Sequence, residues 1–219
     1  MEMAIVLARE GQLIYINVTT ERNLMAPRGR PRSFDRDLAL ERAMEVFWIK
    51  GYDGAQLTDL TAAIGITPPS FYAAFGTKEM AFREAVDLYV ATVGSVPMRA
   101  LEDAATVRNG IRSMLARSID VALSTKPGGC LLILGVVNCL PDNRAARKHL
   151  FRARRKTVKL IATRLERGLR EGELPVDTDV AQLAAFYHGI LQAISFQARD
   201  GATRAELQAL IEPALAVLK

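Results

Sequence analysis

Apolar residues recur at helical spacing through most of this 219-residue chain. Across residues 35–51, Leu40, Ala43, Met44 and Phe47 follow the i, i+3, i+4, i+7 order of a single helical face. Asp35 stands where a helix N-cap belongs. Residues 57–76 then read as two short helices. In the first, Leu60, Ala63 and Ile64 form an apolar face, and Gly65 supplies the positive φ that ends a helix without steric cost. In the second, Thr67 is the cap, and Pro68 takes the first position, where a missing N–H costs nothing. Phe71 and Phe75, four apart, point inward and leave Ser70, Tyr72, Ala73 and Ala74 on the other faces. Thr77 opens another helix whose buried stripe is Phe82, Val86, Tyr89 and Val93. Two short helices meeting around a glycine turn predict a helix-turn-helix, whose second helix fits a DNA major groove.

The pattern stays helical to the end of the chain. It predicts helices near 100–124, 129–140, 143–171, 179–199 and 203–218, punctuated by Lys126-Pro127-Gly128-Gly129, Pro141-Asp142, Gly172 to Pro175, and Asp200-Gly201. Ser95-Val96-Pro97 is expected to end the preceding helix and to mark a domain boundary. The expected fold is therefore all-α, with a helix-turn-helix domain over 27–96 and a helical regulatory and dimerisation domain over 97–219. Residues 1–26 stand apart as an extension. GQLIYINVTTE within it has strand-like residues and no evident partner.

Composition narrows the class. Half the residues are hydrophobic, enough for a substantial core, and aromatics are only 6%, which suits a helical bundle better than a sandwich. A net charge of +5 permits nucleic acid as a partner. Two cysteines do not make a disulfide scaffold and fit a reducing compartment. No apolar run reaches the ~20 residues that span a membrane, and a secretory signal is not expected, so the expected location is cytoplasmic. With two histidines and no HExxH, P-loop, dinucleotide or nucleophile-elbow motif, an enzyme is not expected, nor is a cofactor or a metal site.

The block from RGRPRSFD through ALERAMEVFWIKGYDGAQL, the glycine-turned helix pair, FYAAFG and TKE to KEMAFREAVDLYV resembles the DNA-binding domain of the tetracycline-repressor-like (TetR/AcrR) regulators. The resemblance covers residues 28–93, under half of the chain, and MAPRGRPRSFD from Met25 is how such proteins commonly start. It implies a homodimeric, ligand-responsive repressor of double-stranded DNA with a near-palindromic operator. Arg28, Arg30 and Arg32, on an arm broken by Gly and Pro, suit phosphates or a narrow minor groove. Tyr72 and Lys78 are phosphate clamps by resemblance. Two departures bear on the reader. Gln56 replaces the usual Ser or Thr cap, with Thr58 expected to compensate. Pro68, Pro69, Ala73 and Ala74 leave base readout to Thr67 and Ser70, with the prolines limited to apolar contact.

The second half offers pocket and interface candidates. Cys130 opens an apolar helix, where the dipole would favour thiolate, although buried cysteines more often simply pack. Cys139, nine residues on in the same predicted helix, would face the opposite side, about 13 Å along the axis. Asn138 and His188 are the polar side chains within apolar stretches and are the other candidates for contact with a small-molecule effector. Phe186, Gly189, Ile190, Ala193 and Phe196 make one apolar stripe, and Leu207, Leu210, Ile211, Ala214 and Leu218 another. Two wide apolar faces at the chain's end predict the dimer interface. The resemblance adds that such a pair from each subunit packs as a four-helix bundle. The basic segment 143–171 reads as a solvated face, with Leu150, Ala153, Thr157, Leu160 and Ile161 on its apolar side. Two rival functions stay open at this level: a helical sensor that has lost operator binding, and a non-specific DNA binder using the basic helix.

Overall fold

The computed structural model describes residues 2–7, 13–18, 34–126, 128–138 and 140–218. Leu13–Val18 does have a partner. It forms β2 of an antiparallel pair with β1, Glu2–Leu7, in a register that sets Glu2 opposite Val18 and Leu7 opposite Leu13. The other regular elements among the described residues are helical.

Helix α1 (Arg36–Gly54) begins where the Asp35 carboxylate accepts from the N–H groups of Asp37 (2.8 Å) and Leu38 (3.2 Å). It buries Ala39, Ala43, Met44, Phe47 and Trp48 on one face. Gly51, at φ 69°, breaks the helix. A side chain there would also press on the Gly135 carbonyl, 3.3 Å from where its Cβ would sit. Helices α2 (Leu57–Ile64), α3 (Pro68–Phe75) and α4 (Lys78–Ala91) follow, with Gly65 left-handed at the α2–α3 turn. Thr67 caps α3 and Thr77 caps α4 through their hydroxyls. Phe47 meets Phe82 edge to face at 5.1 Å, and Phe71 and Phe75 lie 5.1 Å apart, all four buried. This core also takes Leu131, Leu132, Val136, Ala146 and Leu150 from further along the chain.

Beyond α4 several helix limits differ from the sequence pattern. Pro97 does not stop a helix. It sits in the first turn of α5 (Ser95–Glu102), where no intrahelical N–H is needed. Residues 103–106 separate α5 from α6 (Val107–Ala122), which Thr106 caps by accepting from Asn109 N–H at 3.2 Å. The expected helix over 129–140 is one turn, α7 (Leu131–Leu134). The Gly135 carbonyl accepts from Tyr52 N–H at 2.7 Å, a bond across the fold that takes the place of further helix. A 3-10 turn (Pro141–Asn143) leads into the long α8 (Arg144–Arg170), then α9 (Val180–Arg199), capped by Asp179. The last stretch divides into α10 (Arg204–Gln208) and α11 (Ile211–Leu215). A second core joins α5, α6, α8, α9, α10 and α11 through Leu101, Ile111, Met114, Leu165, Tyr187 and Leu207, among others. Each such buried side chain contributes about 1.5–3 kcal/mol by leaving water.

Candidate functional site

The helix-turn-helix presents its polar groups together. Thr58, Thr67 and Ser70 line a groove between α2 and α3, together with Gly65 and Ile66. Phe71 and Phe75 are buried beneath α3, so Pro68, Pro69, Tyr72 and Ala73 are turned outward and exposed. The Thr67 and Ser70 hydroxyls are 3.0 Å apart, so the two candidate readers act as one hydrogen-bonded pair. Thr58 does not replace the missing cap. Asp59, the third residue of α2, instead satisfies the N–H of the cap residue itself, its carboxylate accepting from Gln56 N–H at 2.9 Å while holding Lys50 at 2.6 Å. The Lys50 contact, and then the Gln56 N–H, hold the Asp59 carboxyl below its usual value. The Thr58 hydroxyl is left exposed at the helix start.

Tyr72 is half exposed, its ring edge against Phe71. Lys78, the first residue of α4, sets its ammonium 4.6 Å from the Tyr52 ring centre. Burial lowers its pKa, and Asp53 only partly opposes this. Among the described residues no carboxylate pairs with it. A cation beside the positive end of a helix dipole, with no carboxylate in contact, is placed to meet an anion such as a phosphate. Arg28, Arg30 and Arg32 lie outside the described residues.

Behind the reader, a partly enclosed cavity of about 60 Å³ lies between α4, α5, α6, α7, α8 and α9. Cys130 and His188 both line it. Burial pushes the Cys130 thiol up, outweighing the Tyr89 hydroxyl that donates to its sulfur at 3.2 Å, so it stays a thiol at neutral pH. His188 is pushed below its ordinary value, by burial first and then by Arg154, which leaves a neutral ring at neutral pH. Asn138 is not in the cavity. With α7 ending at Leu134, the helical register that would have turned it inward is absent, and it is exposed. The buried amide is Asn143, which donates to Asp53 (2.9 Å) and to the Asn138 carbonyl (3.0 Å). Cys139 lies outside the described residues, and the helical-rotation argument for it lapses with the shortened helix.

Sequence reasoning passed over Arg154, which lines the same cavity. The signal was present: Arg154 is four residues after Leu150 and seven before Ile161, on the apolar face of α8. Leu160, assigned to that face, is 52% exposed.

The cavity is wired to the reader. Tyr89 of α4 lines it and stacks edge to face on Trp48 of α1 at 4.9 Å. The Trp48 indole N–H donates to the Gly129 carbonyl at 2.7 Å, and Cys130 N–H donates to Ser195 Oγ at 2.8 Å. Arg199, at the end of α9, donates to the carbonyls of Gly128 (2.5 Å), Ile49 (2.9 Å) and Trp48 (3.2 Å).

The two apolar stripes fare differently. Phe186 and Phe196 of α9 are 39% and 45% exposed, Gly189, Ile190 and Ala193 are partly covered, and a Cβ at Gly189 would meet nothing within 4 Å. Leu207, Ile211 and Ala214 are buried in the protomer's own core, so they have no surface to offer a partner; Leu210 and Leu218 are only partly covered. The α10–α11 turns are too short to present a continuous outer stripe. Alongside α9, α8 exposes Phe151 and Leu160.

Comparison with known proteins agrees with this geometry. Residues 39–85 match the family model described as bacterial regulatory proteins, tetR family, and residues 108–214 match tetracyclin repressor-like, C-terminal domain. The HTH-type transcriptional repressor ComR of Escherichia coli K12 is 32% identical over 182 residues, which span 82% of this chain and 87% of that protein. The chain belongs to the TetR family. Among solved structures of that family, a cysteine mutant of the regulator CifR, complexed with 26-base-pair double-strand operator DNA, superposes with a TM-score of 0.83. It is 42% identical to this chain, covering 87% of this chain and all of that one. The TetR match from residue 39 to 85 spans the groove of Thr58, Thr67 and Ser70. No helix among the described residues is long and apolar enough to cross a membrane.

Proposed function

We propose that this chain is a cytoplasmic, homodimeric transcriptional repressor that leaves a near-palindromic operator when a small molecule enters the cavity behind its reader. The observation that carries this reading is the contact chain from the cavity through Tyr89 to Trp48. It joins a largely apolar internal cavity to the helices that position α3. The division near residue 96, with the DNA reader before it and the regulatory body after it, is part of the same proposal. A gel shift with DNA from upstream of the protein's own coding sequence, against random DNA, tests it. Selective retention of the upstream fragment supports the repressor, equal retention supports a non-specific binder, and no retention supports a sensor without an operator.

Within this reading, the arm residues Arg28, Arg30 and Arg32 and the clamps Tyr72 and Lys78 hold phosphates, while Thr67 and Ser70 face base edges. Thr58 adds a phosphate contact from the start of α2. Pro68 and Pro69 contact thymine methyls or exclude bulk. Lys78→Ala or Arg30→Ala should weaken binding to all sequences alike and lower the salt slope by about one unit each. An unchanged slope for Lys78→Ala would leave that residue only its contact with Tyr52. Ser70→Ala should change the preference at one base position per half-site, costing about 1–3 kcal/mol. A selected-site profile identical to the parent's would reduce Ser70 to a partner for Thr67.

The dimer proposal rests on α9, with α8 beside it, rather than on α10 and α11. Pairing the two helices with their symmetry mates gives the four-helix bundle and sets the two copies of α3 about 34–36 Å apart or somewhat more.

A further inference from the structure

Sixteen of the described residues line the cavity, and among them Arg154 alone carries a charge at neutral pH. No Asp or Glu is among them. Its Nη1 donates to the Leu132 carbonyl at 2.7 Å, which aims the guanidinium, and among the described residues it has no carboxylate partner. The surrounding walls are apolar, from Pro97, Met98, Val121, Leu132, Leu191 and Ile194. Around the guanidinium stand groups that can donate or accept without adding charge: the Cys130 thiol, the neutral His188 ring and the Thr157 hydroxyl.

Deepening the reading of this cavity as the effector site, we propose that the effector is a small monoanion, a carboxylate on an apolar body, with its head on Arg154. The reason is electrostatic and geometric. A guanidinium drawn half out of water into an apolar space, with no counter-ion, is stabilised by an anion brought to it. Arginine presents a planar fork that fits a carboxylate through two parallel N–H donors. A cation would meet like charge, and a neutral alcohol would leave the guanidinium unneutralised. The cavity's volume of about 60 Å³ admits a ligand of a few heavy atoms, so longer apolar bodies must widen it.

The test uses the DNA-free, full-length protein, so that its outcome does not depend on operator binding. The carboxylates, alcohols and amines of four to eight carbons are titrated against it. Binding is followed by emission of Trp48, the only tryptophan, whose ring touches cavity-lining Tyr89, and by the melting temperature. The carboxylate should bind about tenfold or more tighter than the alcohol of the same length, and the amine should not bind. Arg154→Gln should abolish that preference, while Arg154→Lys should keep part of it. Should Arg154→Gln lose its cooperative melt, the Lys variant and the three head groups still decide. Equal binding of alcohol and carboxylate, a preference that survives Arg154→Gln, or no response to any probe would overturn the proposal. The repressor reading stands or falls separately on the gel shift.

Discussion

Gly189→Trp should leave the protomer folded, convert the dimer to monomer and lower operator affinity by about a hundredfold or more, through loss of the second half-site. The position is suited to the purpose because a Cβ there meets no atom of its own chain within 4 Å. An indole on that face projects from α9 into the space where a second α9 would approach, flanked by exposed Phe186 and Phe196. Ile190→Asp is a harsher companion. Ile190 also packs on the protomer's core, so its charge would destabilise the fold as well as the interface. Sedimentation of Gly189→Trp as an intact dimer, or a wild-type monomer that binds its operator tightly, would sink the assignment of α9.

The second large effect is expected within the reader. Phe71 is fully buried and is the side chain by which α3 is seated on the rest of the helix-turn-helix, with Phe75 one turn on. Phe71→Ala removes its ring from a short helix that has few other anchors, at a cost of about 3–5 kcal/mol. That is a large part of the 5–15 kcal/mol or so that separates folded from unfolded chains. Denaturant unfolding should show the lower midpoint, and operator binding should fall with it even at temperatures where the body remains folded. A midpoint within measurement error of the parent's would mean that α3 is held by other contacts.

The reader was legible because its signals are local. Asp35, Gly65, Thr67, Pro68 and Thr77 each act within one turn of themselves, so their caps and turns appear where the pattern put them. The body was legible only in outline. In residues 131–137 apolar side chains surround the axis, so periodicity could neither choose a face nor find where the helix stops. What stops it is the Tyr52 N–H, 83 positions before Gly135. The same limit hid the partner of β2, the exposure of Asn138 and the burial of Leu207, each set by what packs opposite. Arg154 was missed for another reason: a charge in a basic segment reads as solvated unless its place on the helix is checked.

Arg199 has a consequence for how such a regulator can be taken apart. α1 breaks at Gly51, and the Trp48 and Ile49 carbonyls just before the break accept from a guanidinium on a helix about 150 positions later. The DNA-reading helices are therefore not an interchangeable cartridge. A chimera that grafts residues 34–93 onto another regulatory body keeps its α1 terminus intact only if the new body supplies an arginine at the matching end of its own helix. Engineers exchanging effector specificity between relatives would do better to cut inside the body, keeping α7 and the end of α9 with the reader.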